Sequence, residues 1–202
     1  MAKAWFKNRL NDHFLQKSRV DDYRSRAAYK LEEIDQKYRL IKPGQKILDL
    51  GAAPGSWTQY ALRKVNGKAR VIAIDLLEIA PVEGAIIIQG DIRAPENQAK
   101  ITELAPKGLD LILSDMAPDT TGVHYADTEN SALLVHLALD MAEKLLKPGG
   151  SFVAKVFEGS EYQQLLQRAR KLFKFAKSFN PKASLSRSRE IFLVAQDFKP
   201  AS

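Results

Sequence analysis

Ile47-Leu-Asp-Leu-Gly-Ala-Ala-Pro-Gly-Ser-Trp57 is the stretch that decides the fold. Ile47 to Leu50 is short and apolar, as a buried strand is, and it runs directly into a glycine-bearing turn. Gly51 and Gly55 add no Cβ bulk, so the backbone of that turn can approach a ligand closely. Ser56 to Lys64 then reads as a helix. The pattern repeats downstream. Arg70–Asp75, Ala85–Asp91, Leu109–Asp115 and Ser151–Phe157 are β-branched or leucine-rich runs of the length of strands buried on both faces. Apolar residues at 133, 134, 137, 138, 141 and 145 predict one helical face between Ser131 and Leu146, stopped by Lys147-Pro-Gly-Gly150. A basic amphipathic helix follows over Glu161–Phe173. Phe175–Asn180 and Ile191–Phe198 read as two last strands joined by a Ser/Arg-rich loop. Alternating strands and helices predict a doubly wound α/β sheet. With no internal repeat or linker, residues 1–202 are expected to form one domain, with a basic N-terminal arm over 1–20.

Composition narrows the class. For 202 residues, area scaling gives roughly 70% of the chain's surface buried on folding. An apolar share of 45% and a charged share of 27% exclude collagen-like and disordered chains. No apolar run reaches the ~20 residues of a membrane helix, and the basic N-terminus lacks the apolar core of a signal peptide. The absence of cysteine excludes disulfides and cysteine-held metals. A soluble cytoplasmic monomer without a metal is the expectation. The net charge of +7 is uneven: residues 1–42 carry +5, residues 43–162 carry −5 and residues 163–202 carry +7. Two basic ends around an acidic centre suggest a frame for a polyanion, against the plainer reading of solubilising lysines.

Asp75, Asp91 and Asp115 each end a strand. Ligands of open α/β sheets bind outside those ends. A single aspartate there can simply cap a helix or start a turn, but three beside a glycine turn point to a ligand. Asp75 follows Gly55 by twenty residues, about where a carboxylate meets a ribose diol. A dinucleotide fingerprint would need glycine where Ala53 and Ser56 stand, which disfavours a nicotinamide oxidoreductase. No phosphate-loop lysine follows either. A nucleoside without pyrophosphate fits, S-adenosylmethionine being the commonest, and a turn without a ligand stays open on these residues alone.

Asp49–Trp57, Ser114-Asp-Met-Ala-Pro118, Phe152–Phe157, Ser186-Arg-Ser-Arg-Glu190 and Arg24–Leu31 together resemble the RrmJ/FtsJ ribose 2′-O-methyltransferases, in family order over about residues 20–195. The resemblance implies a Rossmann-like class I methyltransferase fold: seven strands, mostly parallel, an antiparallel last strand, and helices on both faces. It implies S-adenosylmethionine held by Gly55, Trp57, Asp75, Asp91 and Asp115. It also implies a catalytic tetrad of Lys30, Asp115, Lys155 and Glu190. Ser56 stands where some members have glycine. The short chain resembles the bacterial ribosomal branch, whose target is a uridine in the A-loop of large-subunit ribosomal RNA. The tetrad serves any ribose, so a transfer-RNA enzyme stays open, as does a non-catalytic assembly protein that binds RNA.

The tetrad also makes chemical sense by itself. Methyl transfer to a 2′-hydroxyl needs an aligned oxygen and a group to take its proton. Lys155 lies among Phe152, Val153, Val156 and Phe157, where lost hydration disfavours an ammonium. Lys30 is expected to act in the same sense, with Asp115 and Glu190 fixing the geometry. Arg187, Arg189, Arg24, Arg26 and Lys182 are candidates for phosphate contacts, and Trp5, Tyr23 and Tyr29 for stacking. His13, His124 and His136 are scattered, and His136 is expected to be structural.

Overall fold

The computed structural model describes residues 13–184 and 190–200. Seven strands make one sheet: β1 (Lys46–Leu50), β2 (Arg70–Asp75), β3 (Ala85–Gln89), β4 (Leu109–Ser114), β5 (Leu146–Phe157), β6 (Phe173–Phe179) and β7 (Glu190–Phe198). Their spatial order is β3-β2-β1-β4-β5-β7-β6, and only β7 runs against its neighbours. The helices are α1 (Ala27–Tyr38), α2 (Ser56–Lys64), α3 (Pro95–Leu104), α4 (His124–Leu145) and α5 (Tyr162–Leu172). Residues 13–20, from the expected arm, are helical too.

Period-two alternation explains why the strands are apolar throughout. Leu48, Ile112 and Phe152 pack on one face with α4 and α5; Ile47, Leu111 and Val153 pack on the other with α1 and α2. β1 is flanked by β2 on one side and β4 on the other, so chain direction switches there and opens a crevice at the strands' carboxyl ends. The seven-stranded Rossmann-like sheet matches the fold the resemblance implied.

Three boundaries differ from the sequence reading. α4 starts at His124 and buries Thr128, Ser131, Val135, Ala138 and Ala142, leaving Leu133 65% exposed. Small residues let the helix approach the sheet closely, and that decides the face over leucine count. β5 begins at Leu146, because Lys147–Gly150 continues as extended chain with a register shift opposite Leu109 and Leu111. β6 begins at Phe173, whose ring packs between Phe152 and Phe198. Asp197, at φ +60°, kinks β7 and turns Phe198 to that face.

Candidate active site

At the crevice, the turn after β1 is held by main-chain donors. The N–H groups of Gly51 and Ala52 both donate to the Ile74 carbonyl, at 3.0 and 3.2 Å. Gly51 has φ +68°, and a Cβ there would come within 2.8 Å of the Met116 backbone, so only glycine fits. Asp75 ties two loops together: Oδ2 accepts from Ala53 N–H and Oδ1 from Leu77 N–H, each at 2.9 Å. The N–H of Asp115 donates to the Leu50 carbonyl at 3.1 Å. Between these loops lies a cavity of about 450 Å³, lined among others by Gly51, Ala53, Asp75, Asp91, Asp115 and Lys155. That size suits a small ligand.

Its cations are already paired. Arg93 grips both oxygens of Asp91, its Nη2 at 2.6 Å, and these bonds hold the Asp91 carboxyl below its usual pKa. Lys155 donates to the Asp115 carbonyl at 2.7 Å and lies 3.0 Å from the Asp115 carboxylate. Beside them, Lys30 from α1 meets Glu190 at the start of β7, with Nζ to Oε1 at 2.6 Å. Lys30 and Lys155 are each 8% exposed and Glu190 7%. Burial pushes the Glu190 carboxyl up, but Lys30, helped by Ser184 and Lys155, outweighs it and leaves the pKa lowered. The four expected catalytic residues therefore converge as two ion pairs, Lys30–Glu190 buried and Lys155–Asp115 half-buried at the aspartate. β5 and β7 are in register there, Lys155 opposite Phe192 and Phe157 opposite Glu190.

A family model described as FtsJ-like methyltransferase matches residues 23–198. The chain belongs to that family. Among its relatives, the ribosomal RNA large subunit methyltransferase E of Methylobacillus flagellatus is 45% identical over 194 residues, covering 96% of this chain and 94% of that one. The protein of the same name from Legionella pneumophila is 43% identical, covering 98% and 96%. A crystal structure from Plasmodium falciparum, described as a ribosomal RNA methyltransferase, superposes with a TM-score of 0.81 at 34% identity. It covers 89% of this chain and all of its own.

The donor set fits the methyl donor expected of an FtsJ-like enzyme. Three carboxylates face the cavity and both lining cations are taken up by two of them. Such a lining suits a nucleoside bearing a sulfonium and an amine, and offers little to a pyrophosphate. Among the described residues, no group of three or more His, Cys, Asp or Glu could hold a metal ion. No helix among them is long and apolar enough to cross a membrane.

Several expected contacts are placed otherwise in this FtsJ-like fold. Neither Gly55 nor Trp57 lines the cavity. Gly55 takes φ +106° ahead of α2, and its Cβ direction points at Arg24. Trp57 is 2% exposed, donates to the Ala27 carbonyl at 2.8 Å and packs on Phe192, so its ring braces the turn from behind. Arg24 is no free phosphate ligand: its guanidinium donates to the carbonyls of Pro54, Ala80 and Pro81 at 2.6–2.8 Å. Tyr29 is buried and donates to Asp21 at 2.7 Å, and Tyr23 lies under the Arg63 guanidinium, which the Asp22 carbonyl and carboxylate pin there at 3.0 and 3.2 Å, so neither ring is open for stacking. Arg26 stands at the N-cap of α1, and Lys182 is exposed. His136 is half-buried against Arg168, a structural contact between α4 and α5. Trp5, Arg187 and Arg189 lie outside the described residues.

Two carboxylates were missed. Asp49, wholly buried in β1, accepts from Thr58 Oγ1 at 2.7 Å, and its Oδ1 has no hydrogen-bond partner among the described residues. Burial, with Asp115 and Asp75 nearby, pushes its carboxyl up to about 7. A lone aspartate inside an apolar strand was the available signal. Glu33 of α1 accepts from the N–H groups of Lys182 and Ala183 at 2.8 and 2.9 Å, anchoring the chain after β6.

Proposed function

We propose that the protein transfers a methyl group from S-adenosylmethionine to a ribose 2′-hydroxyl of large-subunit ribosomal RNA, at a uridine of the A-loop. One observation carries the reading. A buried lysine on the wall of a nucleoside-sized cavity is held by an aspartate and stands beside a second buried lysine–carboxylate pair. The names of the relatives support ribosomal RNA as substrate, and the resemblance of the motifs supports the uridine.

S-adenosylmethionine, when bound, supplies a methyl carbon made electrophilic by its sulfonium. Asp75 would hold its ribose hydroxyls and Asp91 its adenine amine, while the turn that Gly51 lets pack on Met116 would border it. Lys155 Nζ, fixed by the carboxylate and carbonyl of Asp115, orients the attacking 2′-oxygen and in its neutral form takes the hydroxyl proton. Lys30 and Glu190 position that lysine by charge without touching substrate. Incubating the protein and labelled S-adenosylmethionine with separated ribosomal subunits and transfer RNA from a strain lacking the gene tests this. Label at one 2′-O-methyluridine of the large-subunit RNA is expected; label only in transfer RNA, or in a base, overturns it.

A further inference from the structure

β6 is an edge strand, and the fold brings the two basic ends of the sequence side by side along it. Phe175, Lys177 and Phe179 alternate onto the face that α1 covers. Tyr38, which ends α1, lies between the two phenylalanines, 5.8 Å from each ring centre. All three rings are half-buried, and lysines cover them. Lys37 Nζ is 4.7 Å from the Phe179 ring centre and 5.4 Å from that of Tyr38; Lys177 Nζ is 5.5 Å from that of Phe175. Arg39 and Lys182 are exposed alongside.

The carboxylates of α1 are engaged elsewhere. Asp35 is buried and accepts from Ile41 N–H and Tyr60 Oη, and Glu33 accepts from two main-chain N–H groups. Glu32 lies 3.9 Å from Lys17. Protection of a bare sheet edge explains lysines on β6 itself. It does not explain a helix lysine over Phe179, or a row of three rings beneath cations. Aromatic faces beside exposed lysines are what single-stranded nucleic acid uses: bases stack on the rings and phosphates meet the amines.

Position ties the row to the reaction. Phe179 is in register with Phe192, and Phe192 with Lys155. Two strand spacings, about 10 Å, separate the near end of the row from Lys155. From there the row runs back about 13 Å to Phe175.

We propose that this row docks a single-stranded stretch of the RNA substrate flanking the target nucleotide, with bases on Phe175, Tyr38 and Phe179 and phosphates on Lys37, Lys177 and Lys182. The proposal rests on the reading of the protein as an RNA methyltransferase. Its test uses the full chain with two probes, unmethylated large-subunit RNA and a short uridine homopolymer. Lys37→Ala/Lys177→Ala should weaken homopolymer binding on the order of tenfold and flatten the slope of log affinity against log salt by about 1.4, two lost phosphate contacts. It should raise KM for the ribosomal RNA with kcat and S-adenosylmethionine affinity kept. Phe175→Leu/Phe179→Leu, which keeps the packing apolar, should weaken binding several-fold with the salt slope unchanged. Lys68→Ala/Lys107→Ala, on the exposed loops before β2 and β4, controls for the loss of two charges. Homopolymer affinity and salt slope equal to wild type in both double variants overturn the docking row, whether or not the enzyme methylates RNA. A wild type that methylates no RNA overturns the functional reading and leaves the homopolymer result standing on its own.

Discussion

On the β1–β3 side of the carboxyl edge, carboxylates meet main-chain N–H groups and an arginine two residues away; on the β5–β7 side they meet buried lysines. Asp75 is satisfied by Ala53 and Leu77, and Asp91 by Arg93. Glu190, in contrast, depends on Lys30, and Asp115 faces Lys155. The first side is a local construction, a rigid cradle that leaves acceptor lone pairs for a ligand. The second is a long-range construction, and charge is balanced there only when four elements come together. The proposed function gives cofactor binding to the first side and proton transfer to the second, so variants on the two sides should fail in different ways.

The largest separation is expected at Lys155. Lys155→Ala should keep S-adenosylmethionine and RNA binding while single-turnover methyl transfer slows by about 10²–10⁴-fold. Lys155→Arg should be nearly as slow, since a guanidinium does not release its proton. A near-normal rate for the arginine variant would leave Lys155 an orienting role only.

Next in size is the outer pair. Lys30→Met or Glu190→Gln alone leaves a buried group uncompensated and should cost about 3–5 kcal/mol in urea unfolding. Lys30→Met with Glu190→Leu should regain most of that loss. If each single variant costs less than the double, the pair is not a stabilising unit and the comparison of the two sides fails.

Asp49 lies beneath both sides and should show itself through pH. Its folded pKa, about 7, is above the 3.8 of an ordinary aspartate. The stability of the protonated form is therefore complete below about pH 4 and is lost as pH rises through 7. Three units at ~1.4 kcal/mol each give roughly 4 kcal/mol at the upper end. Asp49→Asn should raise the thermal midpoint at pH 8 and change it little at pH 4. An equal gain at both pH values would mean that ionisation of Asp49 is not the cause.

The smallest effect is expected in the cradle. Asp75→Ala should weaken S-adenosylmethionine binding by about 1–3 kcal/mol in titration calorimetry, and the two main-chain hydrogen bonds it loses should lower unfolding stability by about 1–3 kcal/mol. Unchanged affinity would place the cofactor elsewhere.

The same division explains what the sequence made legible. Asp75, Asp91 and Asp115 could be placed because each ends an apolar run, and a strand's end is a local signal. The strands β1, β2 and β4 were readable for the same reason. Lys30 and Glu190 could be joined only through the family resemblance, since nothing local links residues so far apart. Arg24 was misread because its partners, Pro54, Ala80 and Pro81, lie 30 to 57 positions away. An arginine in a basic N-terminal segment suggests phosphate until those carbonyls are seen. The face of α4 was misjudged because leucines dominate a hydropathy pattern, while Ser131, Ala138 and Ala142 are what a close helix–sheet contact selects.

The Lys30–Glu190 pair also sets an order of events during synthesis. Glu190 follows Lys30 by 160 positions. At about 5–20 residues per second, the ribosome takes roughly 8–30 s to make the intervening chain. For that time α1 and the first parallel strands have no counter-charge for Lys30. The β1–β3 cradle can be complete in the nascent chain, but the Lys30–Glu190 pair beside Lys155 waits for the penultimate stretch of sequence. Under the proposed function, a partly made chain would thus hold cofactor without acting on RNA, including the RNA of the ribosome that is making it.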